Sequence, residues 1–257
     1  MLFHHLVLTG DLFDEGKWCP PEEFEYYVKR FQSLFYVDEK KTQIHVVAGN
    51  HDIGFHYAVT PYLDKRFRDA FQTKSVELKV IKGVRFVMIN SMAMHGDGCF
   101  LCTEAVSSLK KLKRELYNSN ETSQPILLSH FPLYRKSDAH CNEPDEAPKD
   151  EKNVKFREGW DCITQESSNL LVESLKPRLV FSGHTHHGCN TTHKNGEFQE
   201  INISSFSWRN KKNPAFLLAY FSKKGHSISK CYMPDENTVY SVYVFFIALM
   251  MCSLVKK

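Results

Sequence analysis

Two imidazoles two residues apart, His184 and His186 in Gly183-His184-Thr185-His186, are the residues of this chain best suited to chemistry. They follow the apolar run Leu179-Val180-Phe181 and a glycine, the pattern of a buried strand that ends in a tight turn, so both rings can point into one pocket. Neutral imidazole binds Mn, Fe, Zn and similar divalent ions. A His-x-His pair supplies only two ligands, so the others must come from elsewhere. Three more apolar runs end in suitable residues: Leu6-Val7-Leu8 before Gly10-Asp11-Leu12-Phe13-Asp14, Ile44-His45-Val46-Val47 before Gly49-Asn50-His51-Asp52, and Ile126-Leu127-Leu128 before Ser129-His130-Phe131-Pro132. Ligands at the carboxyl ends of several strands are how an open α/β sheet assembles a site.

The elements between these runs have the periods such a fold needs. After Pro20-Pro21, residues 22–36 read as an amphipathic helix with Phe24, Tyr27, Val28, Phe31, Leu34 and Phe35 on one face. Residues 55–71 run through a loop into a short helix, and 76–90 alternate around Lys82-Gly83 as a hairpin. A helix is expected over 103–117 with Thr103 as its cap, and another over 165–175. Between them, 137–160 is rich in Asp, Glu, Lys and Pro without a period, which reads as a long surface loop near the site. Residues 198–203 and 216–221 read as two antiparallel strands completing a second sheet.

The chain has 257 residues, 33 basic against 30 acidic, for a formal charge of +3. That length can bury a substantial core, and the near balance of charge excludes a dominant basic face for nucleic acid. A local cluster, Arg209, Lys211 and Lys212, is a solvated loop or, near a site, a greeting for an anion. The eight cysteines match no zinc-finger spacing: Cys99-Phe100-Leu101-Cys102 is a Cys-x-x-Cys without a second pair, which we read as no structural zinc. In an oxidising compartment Cys99 with Cys102, or Cys141 with Cys162, are disulfide candidates; in cytosol all are buried thiols. Three sequons, at Asn120, Asn190 and Asn202, are usable in a lumen. Residues 1–7 show neither the charged start nor the apolar region of a signal peptide. The uncharged run 239–255, flanked by tyrosines and by Lys256-Lys257, is long enough to span a bilayer, at about 17 residues. The lysines orient its carboxyl end to the cytoplasm and leave residues 1–233 in the lumen.

The ordered motifs Gly-Asp-x-x-Asp, Gly-Asn-His-Asp, a lone His and Gly-His-x-His resemble the calcineurin-like metallophosphoesterases, four of whose five motifs are present. The stretches 10–18 and 130–135 are similar to the branch of that family that remodels glycosylphosphatidylinositol anchors. The resemblance implies an α/β fold, a four-layer α/β/β/α sandwich of two mixed sheets with helices outside. It implies that Asp11 bridges two divalent ions, expected to be Mn; Asn50, His130 and His184 complete one, and His186 goes to the other. His51 would stabilise the phosphate or protonate the leaving oxygen, Asp52 would orient the His51 ring, and Asp14 and Gly183 would stand behind the ligands. The family's opening Asp-x-His motif has no counterpart, since His4 and His5 lie within the strand, so a truncated or alternatively started product with one incomplete metal site is expected. Two readings follow. One is a membrane-anchored phosphodiesterase in the endoplasmic reticulum, its intermediate with the Golgi, or the Golgi, removing an ethanolamine-phosphate side group from anchored proteins. The other is a non-catalytic, metal-binding isoform.

Overall fold

The structure, a computed structural model, describes residues 4–119, 123–193 and 196–255. Its chain order is β1 (His5–Leu8), α1 (Pro21–Leu34), β2 (Gln43–Val46), α2 (Asn50–Ile53), α3 (Pro61–Phe71), β3 (Val76–Ile81), β4 (Val84–Ile89), α4 (Phe100–Asn118), β5 (Ile126–Ser129), α5 (Gln165–Leu175), β6 (Leu179–Ser182), β7 (Cys189–His193), β8 (Phe198–Asn202), β9 (Ala215–Phe221), β10 (His226–Tyr232) and α6 (Glu236–Val255). Short 3-10 turns, His56–Ala58 and Ser91–Ala93, follow α2 and β4.

Six strands form one mixed sheet in the order β3-β4-β5-β6-β8-β7. Strands β4, β5, β6 and β8 run parallel, and β3 and β7 close the edges antiparallel. Period-two alternation splits the side chains between two cores. Val87, Ile89, Leu127 and Val180 face the helices, meeting Leu101, Leu109 and Leu171 of α4 and α5 in the larger cluster. Phe86, Met88, Leu128 and Phe181 face the other way, where the β9–β10 hairpin lies on them. The Phe221 ring of that hairpin is 5.4 Å from Phe86 and 6.0 Å from Phe181, both nearly perpendicular. The parallel pair β1–β2 is a separate two-stranded ladder. The class is therefore α/β with a mixed sheet as expected, but the second sheet is divided into two short ladders.

Several expectations need correction. Strand β8 is not part of a second sheet; it pairs parallel with β6, because Phe198, Glu200 and Asn202 are inward, and β7 and β10 had no clear sequence period. Helix α4 begins a turn earlier than expected, at Phe100, because the Cys99 sulfur rather than Thr103 caps it, accepting from the Cys102 amide at 3.0 Å. Leu34, placed on the buried stripe of α1, is exposed at the helix end. Cys141 pairs with Cys189, not Cys162, since β7 brings Cys189 beside the long loop. The sequon at Asn202 is unusable in this fold: Asn202 is fully buried and its Nδ2 donates to Thr185 Oγ1 (2.8 Å) and the His187 carbonyl (2.7 Å). Asn190 is exposed on edge strand β7, whereas the sequon at Asn120 and the Lys256-Lys257 pair lie outside the described residues.

Helix α6 begins a turn before the run read from sequence and has 20 residues, about 30 Å at 1.5 Å per residue, the thickness of a bilayer core. Its mean hydropathy over Glu236–Leu254 is 1.7 and none of that stretch is buried against the domain. An unburied helix that is apolar all round associates with a membrane rather than with water.

The long loop is ordered by covalent and ionic ties. The Cys141–Cys189 disulfide closes a loop of 48 residues, and the fully buried Asp145 carboxylate accepts from Lys230 Nζ at 2.8 Å. Cross-links of this loop length stabilise by about 2–4 kcal/mol, mainly by restricting the unfolded chain. The double substitution Cys141→Ser, Cys189→Ser is expected to lower the unfolding free energy by about that amount in urea titration, with the midpoint falling and far-UV circular dichroism unchanged.

Candidate metal centre

The carboxyl ends of β1, β2, β5 and β6 meet at one edge, and each delivers a ligand type. Asp11 follows β1, Asn50 opens α2 after β2, His130 follows β5, and His184 and His186 follow β6. Close backbone approach makes this possible. A Cβ on Gly10 would lie 2.5 Å from His130 Nδ1, and one on Gly49 would collide with the Asp11 carboxylate. The ligand residues themselves hold left-handed backbone, with φ of 52° at Asp11, 71° at His184 and 63° at His186. Such conformations cost roughly 1–3 kcal/mol each and persist only where the surroundings over-determine them.

The polar contacts turn several ligand atoms toward one point. His130 Nδ1 donates to the Thr9 carbonyl at 2.7 Å, which leaves Nε2 facing two acceptors, Asn50 Oδ1 at 3.1 Å and Asp11 Oδ2 at 3.2 Å. His184 Nε2 donates to the Trp160 carbonyl at 2.8 Å, freeing Nδ1. Asp11 Oδ1 also accepts from the His51 amide at 2.8 Å. Three acceptors cannot face one another at these distances without a proton or a metal ion between them. The ligand atoms of Asp11, His130 and His184 all lie within 4.8 Å of one another, close enough for bonds of about 2 Å to a shared ion. One carboxylate, one amide oxygen and two imidazoles suit a divalent ion of Mn, Fe or Zn character. His186 stands outside that 4.8 Å group, although Asp11, His130 and His51 all act on its charge.

The protonation states agree. Burial pushes the Asp11 carboxyl up, but the His130 charge and hydrogen bond and the His51 amide outweigh it and hold it below the usual carboxylate range. Burial lowers the His130 pKa, but the Asp11 charge and hydrogen bond outweigh it and raise it above the ordinary imidazole value. Burial, with the His130 charge next, lowers His184 to about 3 and keeps it a neutral ligand. Burial and then the Asp11 charge push Asp52 up to about 7, against donors from Gly49 and Phe13.

Around the ligands the structure reassigns two roles. Asp52 accepts from the amides of Gly49 (2.8 Å) and Phe13 (3.0 Å), so it clamps the two ligand-bearing loops together. The His51 ring is oriented by Asp14, its Nδ1 donating to the Asp14 carbonyl at 2.8 Å, and Asp14 in turn pairs with Arg209. A buried acid not singled out from sequence, Glu200, ties β8 to both histidine strands, accepting from the Leu133 amide (3.0 Å), Ser182 Oγ (2.7 Å) and His193 Nε2 (2.8 Å). Its signal was a charged residue at an inward position of an alternating strand. The carbonyls of Thr9 and Trp160 carry no sequence signal, since every residue has one. Beside His184, Phe55 and Trp160 stack at 4.4 Å and Tyr57 lies 5.8 Å from Trp160, forming a partly exposed aromatic shelf.

Two outcomes follow. Burial pushes the Glu200 carboxyl up, but the His193 hydrogen bond and the Arg135 charge prevail and hold it below its ordinary value of 4.5. Its contribution is therefore complete above the unfolded value and lost as pH falls from there through the folded one. Acid titration of Glu200→Gln should show less loss of stability between neutral pH and about pH 3 than the parent chain. Mn(II) binding to the centre, followed by calorimetry, should weaken by at least about a hundredfold in His184→Ala, since even outer partners of a ligand are worth 10–100-fold.

Comparison with known proteins shows the family of the chain. Residues 3–188 match the model of the calcineurin-like phosphoesterase family, a span containing Asp11, Asn50, His130, His184 and His186. Metallophosphoesterase 1 of Mus musculus is 43% identical over 254 residues, covering 93% of this chain and 63% of that protein. Metallophosphoesterase 1 of Cricetulus griseus is 43% identical over 97% of this chain and 67% of its own length. The solved phosphopantetheinyl hydrolase of Mycobacterium tuberculosis is 13% identical with a TM-score of 0.43, over 90% of this chain and 86% of that one. This chain thus spans somewhat under two thirds of the mouse relative, and it belongs to the calcineurin-like phosphoesterase family.

Proposed function

We propose that this chain is a manganese-dependent phosphodiesterase of membrane surfaces, acting on an ethanolamine-phosphate side group of glycosylphosphatidylinositol-anchored proteins in the endoplasmic reticulum or Golgi, with residues 1–233 in the lumen. The observation that carries the reading is the convergence of ligand atoms at Asp11, Asn50, His130 and His184, a set that suits a divalent cation. Asp11, Asn50, His130 and His184 would hold the ion, and its chemistry when bound would be to acidify water and neutralise phosphoryl oxygens. The chain's own groups do the rest. His51, held by Asp14 through Nδ1, presents Nε2 outward to an anionic substrate and gives a proton to the leaving oxygen. Burial lowers its pKa despite Asp11, so proton donation requires the substrate's negative charge beside it. Arg209, mostly exposed, pairs with Asp14, the residue whose carbonyl holds that ring. The shelf of Phe55, Tyr57 and Trp160 gives flat apolar faces next to the centre, a surface on which sugar rings stack, which supports a glycan-borne phosphodiester. Helix α6 keeps the site near lipid, and the exposed Asn190 sequon is compatible with a lumenal domain.

A second reading, a metal-binding protein that engages the same glycolipid without hydrolysis, is favoured by one observation: the ligand group brought together is Asp11, His130 and His184, and no Asp-x-His motif supplies the other ion's ligands beside His186. Assay of the full chain in detergent with Mn(II) separates the two. Release of ethanolamine phosphate from an anchor glycan, read by mass spectrometry, is expected, together with hydrolysis of an aryl phosphodiester. His51→Ala should cut kcat by about 10²–10⁴ with little change in metal affinity, and Arg209→Ala should raise KM. Binding of the glycan without any release would establish the second reading. Carbonate extraction should leave the chain in the membrane pellet; recovery in the soluble fraction would remove the membrane from the proposal.

A further inference from the structure

Away from the catalytic edge, four ligating side chains that sequence spacing did not connect are brought together. Cys99 and Cys102 stand at the start of α4, Asp97 in the loop before it, and His56 in the 3-10 turn after α2. Their ligand atoms all lie within 4.8 Å of one another. Asp97 Oδ1 accepts from Cys102 Sγ at 3.2 Å and from the Cys99 amide at 3.1 Å. Cys102 is 1% exposed, and both cysteines are free although the same fold joins Cys141 to Cys189.

The tautomer of His56 provides the second observation. Its Nδ1 lies 2.8 Å from the Met92 carbonyl, which only accepts, so Nδ1 carries a hydrogen. Nε2 then faces Asp97 Oδ2, 2.7 Å away, a contact that either a proton on Nε2 or a metal ion shared with the two sulfurs satisfies. A ring nitrogen anchored by a backbone carbonyl, with its other nitrogen facing a carboxylate and two sulfurs, is the arrangement of a metal-binding histidine. We propose that His56, Asp97, Cys99 and Cys102 hold a structural zinc ion. Thiolate, imidazole and carboxylate fit tetrahedral zinc, with bonds of about 2.0–2.3 Å, and a closed four-ligand set marks a structural rather than a catalytic site. Binding releases the two thiol protons and any proton on Nε2 to solvent, and no electron moves.

The ion would fasten the border of the catalytic edge. The His56 ring stacks on His95 at 3.9 Å, His95 lies against Gly159, and the next residue, Trp160, accepts from His184. On the other side of His56, Phe55 stacks on Trp160 at 4.4 Å. The cluster therefore ties together two loops that set the His184 ring.

Cobalt substitution tests the site without relying on activity. The full chain, purified in detergent and loaded with Co(II), should show intense thiolate-to-cobalt charge transfer and the strong visible bands of a tetrahedral ion. The Asp11 centre has no sulfur, so it contributes no such charge transfer. Cys102→Ser should remove the charge transfer and one equivalent of zinc by elemental analysis. Asp11→Ala should leave both intact, which separates this proposal from the catalytic one. Zinc bound to the untreated chain should also protect Cys99 and Cys102 from alkylation until a chelator is added. Absence of the charge transfer in the unsubstituted chain, free alkylation of both thiols, or a Cys99–Cys102 disulfide by mass spectrometry would each overturn the proposal.

Discussion

The structure depends on one electrostatic requirement: oxygen and nitrogen acceptors gathered at the strand ends need a positive charge among them. Asp11, Asn50 and His130 face each other at 3.1 and 3.2 Å, and hydrogen bonds from their far sides prevent them from turning away. The Thr9 carbonyl fixes His130, the Trp160 carbonyl fixes His184, and the His51 amide fixes Asp11. Each anchor uses the nitrogen or oxygen that is not needed inward, so the inward lone pairs are committed before any ion arrives. The cost of keeping the geometry appears as left-handed backbone at Asp11, His184 and His186.

That geometry is affordable because the surrounding scaffold is rigid at three levels. Apolar side chains on both faces of the six-stranded sheet fix the strands that carry the histidines. Buried polar groups then fix the turns: Asp52 bridges the Gly49 and Phe13 amides, and Glu200 bridges β8 to Ser182 and Leu133. These carboxylates are well satisfied, and removing one leaves several buried donors without partners, which is why such groups specify a single arrangement. The long loop, finally, is no passive cover. It donates the Trp160 carbonyl to the centre and is held by the Cys141–Cys189 bond and by Asp145 with Lys230.

Cysteine chemistry in this protein is divided by geometry. Cys141 and Cys189 are joined across a loop and a strand, where a bond constrains much chain. Cys99 and Cys102 sit within one helical turn, where a bond would constrain little, and they share their surroundings with an imidazole and a carboxylate. Helix α6 stands apart from both groups, making no buried contact with the domain, as expected of an element whose apolar surface is satisfied by lipid.

The order and types of the side chains that converge at the strand ends were legible in the sequence, because apolar runs followed by Gly-Asp, Gly-Asn-His-Asp, Ser-His and Gly-His-x-His are local patterns that mark strand ends. The aromatic stripe of α1, the β3–β4 hairpin and the apolar run of α6 were legible for the same reason: period and composition are properties of neighbouring residues. Sequence alone left undecided whatever depends on which distant segments meet. The pairing of β8 with β6, the partner of Cys141, the burial of the Asn202 sequon and the replacement of Asp52 by Asp14 behind His51 all arise from contacts between segments far apart in the chain. So does the meeting of His56 with Cys99 and Cys102, which no cysteine spacing could reveal. The sequence determined which atoms can bind a metal ion; only the tertiary structure, through main-chain carbonyls that carry no residue signature, decided which way those atoms point.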